Sequence, residues 1–448
     1  VEVLPDGSFQ LGVHIADVSH FVPSGSAMDS EARYRGTSVY FPDRVIPMLP
    51  EKVSNHLCSL NPGTDRLALS VMMHLSSAGE VRDYSFHKSV IHSKQRMNYE
   101  EVQEILNGNP SLEDKFGEIV PHIRNIARLA EIIQKRRQQR GAIDFDLPEP
   151  MLTYNEQGEL AGIVKSVRLF SHRIVEEFMI LANEVVARHL EESEIPSLYR
   201  VHEDPDPAKV QEFVEIVSGF GLKFIPRKAE PGEFQKFISS IEGRPEERML
   251  SYLMLRSFKQ AKYSAENHGH FGLASDSYTH FTSPIRRYPD LIVHRILKSA
   301  MSRKADPAVP HAQLEAIATE SSERERLADQ AERELFDWKK MILIERHLGD
   351  IFDAIIIAVW RDGFSVELID YFIEGFVPVA EIPDDYYQLD QTLHALVGRH
   401  TRQRFRLGDR VKVQVARVDK LLRRAYFLPV QPAIQRPGGV LAHKRRSR

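Results

Sequence analysis

The run YTHFTSPIRRYPDLIVHR, residues 278–295, sets two threonines, one serine, three arginines and two histidines among enough apolar side chains to be buried. Hydroxyls and guanidinium groups on an interior element suit the binding of an anion. The spacing predicts a helix from 285 to about 301, with Ser283 as its cap and Pro284 at the first helical position, where a missing N–H costs nothing. Pro289 must then kink this helix or fit into its first turns. On such a helix Arg286, Asp290 and His294 stand four residues apart in one row. Thr282, Ser283 and Arg286 at a helix N-terminus form a phosphate site, because unpaired N–H groups and the helix dipole both favour negative charge there. The competing reading is an Arg–Asp ion pair tying helices together. That pair is preferred for Asp290, and phosphate contact for Arg286.

Other clusters carry weaker signals. In GVHIADVSHFV, His14, Asp17 and His20 are close in sequence, but positions 14 and 17 of a strand face opposite sides, which argues against a shared metal. In RGTSVYFPDR, Tyr40 sits in an irregular segment rich in hydroxyls and prolines; it suits stacking on a base, with a core tyrosine as the alternative. Glu176 and Glu177 adjoin in an otherwise apolar helix, so one must point inward and needs a partner, for which a ribose hydroxyl or a helix arginine would serve. Cys58, the single cysteine, reads as a small buried hydrophobe and agrees with a reducing compartment. The chain has no P-loop, GxGxxG, zinc spacing, GxSxG or compact carboxylate motif for Mg²⁺.

At 448 residues the chain is too long for one compact domain. Its 42% hydrophobic and 27% charged residues are those of an ordinary soluble protein. No apolar run approaches the roughly 18 residues that span a bilayer, and no N-terminal signal pattern is present, so a cytoplasmic protein is expected. The net charge of -4 hides a segregation: residues 397–424 hold ten Lys or Arg against two Asp, and the chain ends HKRRSR. Such a basic end is either a nucleic-acid surface or a solvated face.

The pattern along the chain predicts an α+β domain over 1–348. A hairpin turns at Pro5-Asp6-Gly7, and RLALSVMMHLS adds a further strand. Helices run from 99 to 140, ending at Gly141. A second hairpin occupies 151–166, and the next helix presents Ile174, Phe178, Leu181 and Val185 on one face. Helices continue to about 347. From 349 to 430 five short β runs predict an OB-type barrel, and the Pro- and Gly-rich residues 431–448 read as a basic disordered tail.

The strings LGVHIADVSHFV, RGTSVYFPDRVIPMLPEKVSNHLCSLNPGTDRLALSV, HRIVEEFMILAN, YRVHEDP and YTHFTSPIRRYPDLIVHR together resemble the catalytic (RNB) domain of the ribonuclease II and ribonuclease R family, the bacterial ribonuclease R branch above all. GFSVEL, EGFVPVAEI and LGDRVKVQV resemble the ribosomal S-one type of OB domain that follows it. The resemblance covers nearly the whole chain. It implies processive 3′-to-5′ hydrolysis of single-stranded RNA to nucleoside 5′-monophosphates with Mg²⁺; a monomer is expected.

Carried onto this chain, the resemblance puts Arg286 on the scissile phosphate, Tyr40 against the 3′-terminal nucleotide and Glu176 on a ribose hydroxyl. Phe145 becomes the aromatic that clamps the 3′ end. Thr282, Ser283, Arg287, Arg404 and Arg406 are expected on RNA. The family's metal-binding aspartates, in a motif ending Asp-Asp-Ala, would fall just ahead of Val1, and cold-shock-type OB domains ahead of them. The expectation is therefore a truncated fragment that holds no metal ligands and is inactive by itself. The alternatives are a catalytically inactive RNA-binding protein of the same fold and a scaffold whose basic end binds a protein.

Overall fold

Alternation of apolar and polar residues builds the first sheet. In the strand Phe9–Ala16, Phe9, Leu11, Val13 and Ile15 are buried while Gln10, Gly12 and His14 lie on the other face. The computed structural model describes every residue except Asp146, Pro148, Arg227, Pro245, 303–308, 391–393 and 431–448; the tail expected at 431–448 lies outside the described residues. Strands Glu2–Val3, Phe9–Ala16, Asp65–Leu75 and Val81–His92 form one antiparallel sheet in that order. Gly7 makes the first turn at φ 80°, the conformation glycine adopts without steric cost.

Against the buried face of this sheet pack the helices Phe170–Glu192 and Tyr288–Met301, through Ile174, Phe178, Val185, Leu291, Ile292 and Ile296 among others. The helix Val120–Arg140 ends at Gly141 in the left-handed conformation, φ 99°. It is tied to the helix Phe170–Glu192 by a bidentate pair between Arg137 and Glu177, both almost fully buried. Glu177 is therefore the inward member of the Glu176–Glu177 pair, and a helix arginine is its partner.

Chain contacts divide the protein into two units: Val1–Glu149 with Ser166–Phe336, and Pro150–Lys165 with Asp337–Arg448. The hairpin Pro150–Tyr154 and Leu160–Lys165 thus belongs with the second unit, where Arg346 donates to the Leu160 carbonyl at 2.8 Å. The second unit contains a closed five-stranded barrel of Ile351–Trp360, Gly363–Leu368, Glu374–Pro378, Arg424–Pro429 and Arg410–Asp419. Between the strands Glu374–Pro378 and Arg410–Asp419 the chain inserts a three-stranded sheet, Tyr387–Asp390, Ala395–Gly398 and Arg404–Arg406. The sequence reading missed this insertion, because two of its strands have only four residues and the third has three, too short to show a period of two. Arg404 and Arg406 therefore stand on the inserted sheet and not on the barrel.

The helix after the arginine-rich run starts later than its spacing suggested. It begins at Tyr288, with Arg287 extended at the cap position and Pro289 in the first turn. Pro289 lacks an N–H and clashes with a preceding turn, so the helix starts where this proline does least harm, and Pro284 falls in a turn outside it. Ser283 is consequently not the helix cap. Arg286 leaves the row with Asp290 and His294, which remain one turn apart on the helix.

His294 is fully buried. Its Nε2 lies 2.8 Å from the Phe281 carbonyl, which can only accept, so the ring donates there; it also stacks on Phe281 at 4.4 Å. Burial pushes its pKa down to about 4, against about 6.5 in an unfolded chain. Between those values the unfolded state binds more protons, so stability rises with pH. The contribution is fully present above pH 6.5 and is lost as pH falls towards 4, at about 1.4 kcal/mol per pH unit. His294→Gln should flatten the pH dependence of the unfolding free energy over that window by about one proton; equal slopes for the two proteins would refute it.

Candidate functional site

Two segments, residues 36–48 and 278–290, meet beside the Ala16 end of the strand Phe9–Ala16. Gly36 turns at φ 72°, where a Cβ would lie 2.6 Å from the Cβ of Arg324, so only glycine fits. The chain leaving it is stitched to the arginine-rich run. The Tyr288 N–H donates to the Gly36 carbonyl (2.9 Å), while the Ser38 N–H (2.9 Å) and the Thr37 hydroxyl (3.1 Å) both donate to the Arg286 carbonyl. Val39–Tyr40 then pairs with Val45–Ile46, and Ser38 Oγ accepts from the Met48 N–H. The Tyr40 ring is left 46% exposed at the rim, which excludes a core tyrosine.

From the other side, the Phe281 N–H donates to the Asn183 side chain at 2.9 Å and the Thr279 hydroxyl to the Leu198 carbonyl at 2.5 Å, fixing the approach to the turn. Asp290, with no exposed surface, accepts from the Ser283 N–H (2.7 Å), Arg287 Nε (2.8 Å) and Arg287 Nη2 (2.7 Å). The Arg–Asp pair thus exists, but with Arg287. Arg287, expected on RNA, is turned inward and anchors the turn. Arg286 is exposed, and its guanidinium has no hydrogen bond or ion pair among the described residues.

The result is a cleft of about 360 Å³ whose lining includes Tyr40, Thr282, Ser283 and Arg286, together with His14 and Cys58. A free guanidinium fork, two hydroxyls and an aromatic face converging on one cleft suit a phosphate with an attached nucleoside. Burial pushes the Cys58 thiol up to about 12, so it is inert wall. Sequence reasoning left His14 out of this group. It weighed His14 against Asp17 on its own strand and not against the serines opposite it across the sheet. Asp17 faces inward. Burial alone would raise its pKa, but the Lys298 ammonium (2.7 Å) and the Ser19 hydroxyl (2.7 Å) hold it below the usual range.

Glu176 and Phe145 do not line this cleft. Arg168 bonds both Glu176 and Asp144, the latter at 3.0 Å. Phe145 is partly buried and packs on Phe258 at 6.0 Å. In the second unit, exposed Arg404 lines a cleft of about 440 Å³ with Arg410 and Lys412. The Arg406 N–H donates to Asp409 at 3.1 Å. On the barrel, Arg417 lies over the Tyr426 ring at 4.1 Å and Trp360 is 48% exposed beside Phe376. Among the described residues no group of three or more His, Cys, Asp or Glu side chains is placed to hold a metal ion, and no helix is long and apolar enough to cross a membrane.

Residues 1–303 match the RNB domain, and residues 346–427 the S1 RNA binding domain. Among curated relatives, ribonuclease R of Aquifex aeolicus is 46% identical over 429 residues, covering 95% of this chain and 61% of that protein. Ribonuclease R of Escherichia coli is 40% identical over 425 residues, covering 92% and 52%. This chain thus spans about half to three fifths of the length of these relatives. Among solved structures, Mycoplasma genitalium RNase R, both in its apo form and in complex with ribose-methylated single-stranded RNA, is similar over 96% of this chain and 68% of that one, with a TM-score of 0.89 and 29% identity.

Proposed function

The chain belongs to the RNB domain family, with an S1 RNA binding domain behind it, and from that premise we propose that it is the RNA-holding part of a 3′-to-5′ exoribonuclease acting on single strands. The observation that carries this reading is the cleft that unites Tyr40, Thr282, Ser283 and the unpaired Arg286. In it Arg286 contacts the scissile phosphate and stabilises charge developing there, Thr282 and Ser283 hold phosphate oxygens, and Tyr40 stacks on the terminal base. Phosphoryl transfer depends chiefly on such positioning and charge stabilisation. Glu176, kept in place by Arg168, binds a ribose hydroxyl, and Phe145 clamps the strand. Similarity to an RNase R solved with single-stranded RNA supports this reading.

Activity in this family calls for a divalent ion, which supplies an activated water and neutralises phosphate charge. Among the described residues no cluster of His, Cys, Asp or Glu fits one. The proposed activity is tested on a polypeptide joined to the acidic segment that the family resemblance places ahead of Val1. It should release nucleoside 5′-monophosphates from labelled single-stranded RNA with Mg²⁺ while the strand shortens from its 3′ end. Internal fragments as the primary products would contradict the reading.

In the second unit Arg404 and Arg410 are exposed, and neither has an ion pair among the described residues. We assign them to the phosphates of a longer strand. Single-strand binding by Z phosphate contacts has a log–log salt slope of about -0.7Z. Replacing both arginines by Ala should therefore flatten the slope by about 1.4 for long strands. An unchanged slope would make them a solvated face.

A further inference from the structure

The strand that floors the cleft carries one more group able to touch a substrate. His14 is exposed and stands opposite Ser70 across the sheet, with Nδ1 2.7 Å from Ser70 Oγ. Ser70 Oγ lies 2.5 Å from Ser89 Oγ, and the Ser89 hydroxyl is 3.2 Å from the Ala68 carbonyl. The carbonyl can only accept; when Ser89 donates to it, Ser70 donates to Ser89 and His14 donates from Nδ1 to Ser70, which leaves Nε2 an acceptor. When Ser89 donates to Ser70 instead, Ser70 donates to Nδ1 and Nε2 carries the proton. In either arrangement Nε2 has no bond among the described residues. Gly12, next but one along the same face, makes room for it: a Cβ there would lie 2.8 Å from Nε2.

We propose that His14 is a specificity-determining residue whose Nε2 forms a hydrogen bond with the 2′-hydroxyl of one nucleotide in the cleft. The proposal rests on the RNA-cleft reading. A hydroxyl both donates and accepts, so the 2′-OH of a ribose pairs with Nε2 in either tautomer, and a 2′-deoxyribose at the same place offers it nothing at that position. Glu176, the other candidate for a ribose hydroxyl, does not line this cleft, so the two would read different nucleotides.

The test measures the affinity of the 448-residue chain for an RNA oligonucleotide in which a single 2′-deoxy substitution is walked through the 3′-terminal nucleotides. The wild-type chain should show a penalty of about fivefold at the nucleotide His14 reads, the size of one ordinary hydrogen bond. His14→Ala should abolish that penalty and no other, with the melting temperature unchanged. Gly12→Ala, which keeps the histidine but displaces its ring, should do the same. If the penalties of both variants match wild type at every position, or if affinity drops equally for ribose and deoxyribose strands, the assignment is overturned. Arg286→Glu tests the underlying reading separately. If that charge reversal leaves RNA affinity untouched, the strand does not lie in this cleft and both readings fall together; if it weakens binding while the His14 penalties persist, only the His14 proposal fails.

Discussion

Replacing Arg286 by alanine should lower single-turnover cleavage on the order of 10²-fold or more, the loss typical of removing one preorganised donor at a developing charge. The melting temperature should not move, because the guanidinium is exposed and bonded to nothing among the described residues. Affinity for RNA should change little on this neutralisation, since many other phosphate contacts remain, whereas reversal to Glu sets a carboxylate against the phosphate and should weaken binding. Arg286→Lys should be nearly as damaging as alanine. Lysine keeps the charge but is a point donor, without the planar fork that meets two phosphate oxygens together. The assay is single-turnover cleavage by the polypeptide carrying the acidic segment, with melting temperature and RNA affinity measured on the same preparations. A destabilised Arg286→Ala protein in which binding and cleavage fall in parallel would remove the catalytic assignment.

The neighbouring pair should behave in the opposite way. Asp290→Ala leaves the Arg287 guanidinium, largely buried, without its counter-charge, and takes the acceptor from the Ser283 N–H. Removing one partner of a buried ion pair costs about 3–5 kcal/mol. The first unit should melt earlier, and RNA binding and cleavage should decline together, because the turn that presents Ser283 and Arg286 loses its anchor. Chemical denaturation of wild type and Asp290→Ala measures this. A variant of full stability with selectively lost cleavage would instead make Asp290 a participant in the chemistry.

Adjacent arginines thus have opposite surroundings, Arg287 half-buried and paired with Asp290, Arg286 exposed, and the sequence alone did not show which of them meets Asp290. Four-residue spacing placed Arg286 beside Asp290, which holds only if both stand on one helix. Pro289 delays the helix to Tyr288, so three-residue spacing pairs Asp290 with Arg287. What the sequence carried reliably was periodicity and chemical inventory: the alternating strand Phe9–Ala16, the buried face of Ile174, Phe178 and Val185, the barrel after Gly349, and an unusual density of donors in residues 278–295. Contacts between distant segments were not legible. Thr37 and Ser38 bond to Arg286 across about 250 positions, and nothing in either string announces it. The His14–Ser70–Ser89 chain was hidden likewise, because it exists only once three strands are in register. The inserted sheet was missed because its strands are shorter than the period that would reveal them.

On the proposed function, the cleft between Tyr40 and Arg286 receives the 3′ end of a single RNA strand. Photo-crosslinking tests it in one measurement, with 4-thiouridine placed either at the 3′ terminus or at the 5′ terminus of a strand bound to the chain and the attached peptides sequenced. The 3′ probe should mark peptides containing Tyr40 or residues 282–286, and the 5′ probe should mark neither. Crosslinks from the 3′ probe confined to residues 349–430, or equal marking of the cleft by both ends, would contradict the account.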